Sequence, residues 1–141
     1  MPIQIKRSID IENVVREALA PYMTAYCLPL PASVVLPSVA VEQVGGRSSN
    51  TIDEFDIVLD VRAKNEAESL ETMRNAVGII KAVAESQTTP MHYVSENTKP
   101  AWIIDPVRPD VAMCRARLSV TVHMENVTIN EINSGGFNNG N

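Results

Sequence analysis

Apolar residues recur along this chain at two different spacings, and each change of spacing marks a change of element. Ile11, Val14, Val15, Ala18 and Leu19 repeat at the period of one helical face. Asp10 stands just before them, where a carboxylate can accept hydrogen bonds from the free amides of a first turn. The pattern predicts a helix from about Ile11 to Ala20, ended by Pro21, which lacks an amide hydrogen and disfavours helical geometry at the residue before it. Leu70, Met73, Val77, Ile80 and Ala84 predict a second, longer helix over Glu66–Ser86, with Asn65 and Glu68 as its start signal.

Elsewhere the period is two. Val39 and Val41 face one way from Ser38 onward. Phe55, Ile57, Leu59 and Val61 alternate with Glu54, Asp56, Asp60 and Arg62. Gly45, Gly46, Arg47, Ser48, Ser49 and Asn50 between them read as a loop, longer than a tight hairpin needs, so its expected role is contact with a neighbour. Adjacent strands joined this way are expected to pair antiparallel. Cys114, Ala116, Leu118, Val120, Val122 and Met124 alternate with Arg115, Arg117, Ser119, Thr121, His123 and Glu125, the clearest strand in the chain.

Met91 to Val94 and Ala101 to Ile104 flank a polar loop, Ser95 to Pro100, and form either two short strands or one interrupted strand. Four prolines between Pro21 and Pro37 predict an extended connector, and the two in Asp105–Asp110 predict a turn. Residues 133–141, rich in Gly and Asn, read as a flexible tail beyond a single domain over 1–132. The order α-β-β-α-β-β points to an α+β fold, a mostly antiparallel sheet with two helices packed on one face.

Composition supports the sheet: 17 valines and 12 isoleucines stand against seven leucines, and β-branched side chains suit a pleated surface. A net charge of −5 argues against broad attraction to nucleic-acid phosphates or anionic lipid. No apolar run has the length of a signal peptide or a membrane span, and Cys27 and Cys114 lack the spacing of a zinc site or a disulfide scaffold. The expectation is a soluble protein with free thiols, made in a reducing cytosol, with no membrane partner.

Candidate chemistry is sparse. His92 and His123 have no second metal-type ligand three or four residues away on the same predicted element and read as surface or strand-partner residues. Asp53, Glu54, Asp56 and Asp60 have the carboxylates for acid/base work or a hard cation, but Asp56 and Asp60 stand four apart on an exposed strand face and read as solvated charges. Gly45–Ser49 precedes a strand where a phosphate cradle needs a helix. Cys114 reads as a small hydrophobe and Trp102 as core, with an interface anchor as the alternative. Arg115 and Arg117 match the acids Asp56 and Asp60 across two wet strand faces, pairing either within one subunit or between subunits. No catalytic residue, metal or cofactor is expected. The interaction candidates are Gly45, Gly46, Arg47, Ser48, Ser49, Asn50, Asp56, Asp60, Arg115 and Arg117.

The stretch Ser48 to Asp60, the helix from Glu66 to Ala84 and the stretch Arg108 to Arg117 together resemble small neck proteins of tailed bacteriophages, in particular the tail-terminator or tail-completion group. The likeness spans about Asp10 to Glu125 and lies in element order and texture. It implies a virion protein, assembled in the bacterial host cytoplasm into a ring, commonly hexameric, that terminates the tail tube and joins it to the head connector. It also implies stopper and tail-tube proteins as partners, DNA passing through the lumen without sequence-specific binding, and no catalysis. Two alternatives remain: a small-molecule binding module or enzyme subunit using the acidic strand face, and another phage head-completion or capsid accessory protein.

Overall fold

Asp10 caps the first helix as its position predicts, accepting a hydrogen bond from the Asn13 amide at 3.2 Å in a computed structural model that describes residues 1–132. The helix, α1, spans Ile11–Leu19 and buries Ile11, Val15 and Leu19. The second helix, α2, spans Glu66–Ser86. Asn65 accepts from the Glu68 amide at 2.8 Å, and Glu68 reaches back toward the Lys64 amide at 3.3 Å. At its other end Gln87 takes the left-handed conformation that closes the last turn, its amide bonded to the Ala84 carbonyl.

Seven strands accompany the helices: β1 (Ile3–Arg7), β2 (Ala25–Cys27), β3 (Ser38–Ser49), β4 (Ile52–Ala63), β5 (Met91–Ile104), β6 (Ala112–His123) and β7 (Glu125–Ile129). Five form one sheet in the order β2-β3-β4-β6-β5, antiparallel except for β2 beside β3. One sheet face carries Val39, Val41, Ile57, Leu59, Val61, Cys114, Ala116, Leu118, Val120 and Val122, and both helices cover it. The fold is thus α+β with two helices on one face. The Ser69 hydroxyl ties the first turn of α2 to the sheet by donating to the Val61 carbonyl at 3.1 Å. Residues 133–141, expected to form a tail, lie outside the described residues.

Several local expectations are corrected. Gly45, Gly46, Arg47, Ser48 and Ser49 are not a loop: they belong to β3 and pair with Asp56, Phe55, Glu54, Asp53 and Ile52 of β4. The turn itself is Asn50–Thr51, with Asn50 at φ 53, a conformation that asparagine tolerates better than most residues. The register shifts between Gln43 and Gly45, so the glycines mark a β-bulge, where a sequence reading hears only a break. Ser95–Pro100 likewise belongs to the single strand β5, whose three register shifts absorb the polar residues and Pro100 at a sheet edge. The proline-rich connector contains β2, and Trp102, expected in the core, is 46% exposed on the edge strand. β1 and β7 carry no local signal strong enough to place them.

Gly46 has φ +144, and a Cβ there would collide with the Glu54 carbonyl oxygen of the paired strand. Gly46→Ala is expected to lower stability by about 1–3 kcal/mol, because the conformation is nearly glycine-only. Urea denaturation measures this directly, and an unchanged midpoint would mean that the bulge is not required.

Candidate functional site

The helix-free face of the sheet gathers the charges that the sequence singled out. Asp60 and Arg115 are directly opposed in the β4–β6 register, and the guanidinium holds the carboxylate in a two-pronged pair, at 2.7 Å from Nε and 3.0 Å from Nη2. The hydrogen bond that Arg115 donates to Asp60 raises the pKa of Arg115 above its ordinary value despite partial desolvation. Arg47 pairs with Glu54 at 2.9 Å, also across strands. The structure therefore joins Asp60 to Arg115 within one subunit.

Asp56 and Arg117 are not joined. Asp56 lies opposite Ser119 and Gly45, while Arg117 lies opposite Val58, and among the described residues neither forms an ion pair. Val58 and Ala40 are buried although they belong to the helix-free face. Asp53 differs from Asp56 and Asp60, because its strand parity turns it to the helix side, where it is 1% exposed.

A second feature was not legible in the sequence. β1 and β7 form a separate two-stranded antiparallel ribbon, pairing Ile3 with Ile129 and Ile5 with Val127. Alternation places these four aliphatic side chains on one ribbon face. The other face is polar and internally bonded, Gln4 to Thr128 and Lys6 to Asn126, each at 2.8 Å. Arg7–Glu125 and the Met1 ammonium with Glu131 close its two ends. Among the described residues the ribbon's extensive packing is between its own two strands, and its apolar face is left partly open: Ile3 is 56% and Ile129 40% exposed, while Ile5 and Val127 are half-buried. An isolated two-stranded ribbon is marginal in water, and such a face is stabilised when a partner covers it.

A third feature lies where the proline-rich segment meets the turn between β5 and β6. Arg62 donates from Nε to Asp105 at 2.7 Å, with side chains only 15% and 4% exposed. The other Asp105 oxygen accepts from the Val107 and Arg108 amides at 3.0 and 3.3 Å, which folds the turn. Burial by itself would raise this carboxyl, yet the Arg62 bond and the two amides outweigh it and hold the pKa below the ordinary value. Leu30, Val34, Leu36, Val107 and Val111 wall a cleft of about 330 Å³ beside the pair. Arg62 and Asp105 are 43 residues apart, so no local pattern announces them.

His92 and His123 stack edge to face with centroids 4.2 Å apart, both exposed. Among the described residues no group of three or more His, Cys, Asp or Glu is placed to hold a metal, and no helix is long and apolar enough to cross a membrane. Burial pushes the Cys114 thiol up, partly offset by the Ser69 hydroxyl, and burial followed by the Glu12 charge does the same to Cys27. A thiol reagent is expected to label half-buried Cys27 slowly in the native protein and buried Cys114 only after unfolding. Mass spectrometry of the labelled peptides reads both outcomes, and equal labelling would contradict the packing.

Scanned against known families, the chain matches no family model, and no curated protein matches its sequence.

Proposed function

We propose that this chain is a structural subunit of a tailed-bacteriophage neck, one copy of a hexameric ring that terminates the tail tube and joins it to the head connector. The single observation that carries assembly is the β1–β7 ribbon, which among the described residues leaves Ile3 and Ile129 exposed beside half-buried Ile5 and Val127 on one face. The phage station rests on the resemblance in element order described above. A ribbon seated on the body of the next copy makes a head-to-tail contact, and a head-to-tail contact whose rotation closes generates a ring. The charged sheet face, with Asp60 and Arg115 already paired internally, offers Asp56 and Arg117 to a neighbour. In this reading the further partners are the head connector or stopper and the tail tube. DNA passes through a net-negative lumen without sequence-specific contact, and neither catalysis, cofactor nor membrane takes part.

Native mass spectrometry and electron microscopy, of the purified protein and of virions, test the reading. A ring with a central opening is the expected result. A strict monomer that is also missing from the particles would sink it. A head-completion or capsid accessory role predicts the same protein at a different station, which its position in the virion distinguishes. The cleft beside Arg62 favours one other reading, a small-molecule binding module, because apolar walls there adjoin a guanidinium. A monomer that binds a small organic anion in that cleft would put this second reading first.

A further inference from the structure

Asp53 is the one side chain among the described residues that the fold buries without satisfying. It is 1% exposed, the Ser48 hydroxyl donates to its Oδ1, and its Oδ2 has no hydrogen-bond partner. No basic side chain neutralises it: Arg47 is nearby, but is largely exposed and engaged with Glu54. A buried carboxylate left in this state is costly, since desolvation is compensated only by pairing or by further hydrogen bonds.

Asp53 also lines a cleft of about 320 Å³, together with Ser8, Gln43, Gly45, Gly46, Arg47, Ser48 and Phe55. Its polar wall is rich in oxygen: a carboxylate, two serine hydroxyls and a glutamine amide. The two glycines bring bare backbone to the same wall, one of them held at a conformation that excludes a side chain. Oxygen donors with one carboxylate, and without histidine or thiolate, match a hard cation and not a transition metal. The cleft joins the base of the ribbon, at Ser8, to the hairpin of β3 and β4.

We propose that this cleft binds a hard cation, with calcium the best match, through the Asp53 carboxylate and the neutral oxygens of Ser8, Gln43 and Ser48. Calcium accepts irregular sets of six to eight oxygens and completes them with water, whereas magnesium demands near-octahedral geometry. With one carboxylate the affinity belongs to the weak end of calcium sites. Binding would tie the ribbon's base to the sheet, and it stands independently of any assembly role.

The test is thermal unfolding of the full chain with calcium chloride, with tetramethylammonium chloride at matched ionic strength as the screening control. About 10 mM calcium is expected to raise the melting temperature by about 5–9 °C, given a dissociation constant of roughly 0.1–1 mM. Asp53→Asn is expected to lose that rise. No calcium-dependent rise, an equal rise with tetramethylammonium, or a rise retained by Asp53→Asn overturns the proposal, as a cleft that holds only water predicts. If Asp53→Asn does not fold, Ser48→Ala with Gln43→Ala keeps the carboxylate and removes two exposed donors. Its rise must shrink, and an unchanged rise overturns the proposal equally.

Discussion

Replacing Ile3 by Lys and Ile129 by Glu in one molecule is expected to abolish self-association while leaving the melting temperature of the body nearly unchanged. The two residues face each other across the ribbon, so the new charges attract and the β1–β7 pairing survives. What disappears is the apolar face. Full burial of an isoleucine side chain stabilises by about 1.5–3 kcal/mol, and roughly half of that remains for a partner to gain at each position. The pair therefore accounts for about 1.5–3 kcal/mol, or roughly 10- to 150-fold in the dissociation constant of one interface. Because α1, α2 and the five-stranded sheet bury their core without the ribbon, unfolding should scarcely change. Analytical ultracentrifugation reads the association and calorimetry the stability. A double variant that assembles like the parent would show that the ribbon is not the contact.

Asp105→Ala is expected to cost about 3–5 kcal/mol, the largest effect of any polar substitution in the described structure. Removing the carboxylate leaves the Arg62 guanidinium buried without its counter-charge, and breaking such a pair from one side is far more damaging than its net contribution suggests. The Val107 and Arg108 amides lose their acceptor in the same step. Urea denaturation at neutral pH measures the loss, and a change below about 1 kcal/mol would place the pair among weak surface bridges.

The same carboxylate sets an acid limb. Its folded-state pKa lies below the ordinary unfolded value of about 3.9, so its contribution is complete above that value. It is lost as pH falls through the lower, folded pKa. Asp105→Asn should therefore flatten stability against pH in the window below about pH 5, and should leave the neutral-to-basic side parallel to the parent. An acid limb of unchanged slope would assign it to other carboxylates.

Periodicity in the sequence by itself determined both helices, since Asp10, Asn65, Pro21 and the apolar rows act within a few residues of where they stand. The same local logic determined which faces of β3, β4 and β6 are apolar, and hence the α+β class. It also brought Asp60 and Arg115 to notice as partners, because strand parity and charge are both readable. Glycine was misleading: Gly45 and Gly46 announce a break, but a bulge inside a paired strand and a loop share that local signal. Only the cross-strand hydrogen bonds of β3 to β4 decide between them.

Tertiary structure alone decided the rest, and the reason is sequence separation. The ribbon pairs Ile3 with Ile129, and the buried pair joins Arg62 to Asp105, contacts whose partners leave no periodic trace near each other. Asp53 is the clearest case. In the sequence it is one of four neighbouring acids, and only its phase with Phe55 and Ile57 distinguishes it from Asp56. Parity gives the face on which it stands, but only the assembled fold decides that it is 1% exposed and that its Oδ2 is left without a hydrogen-bond partner among the described residues.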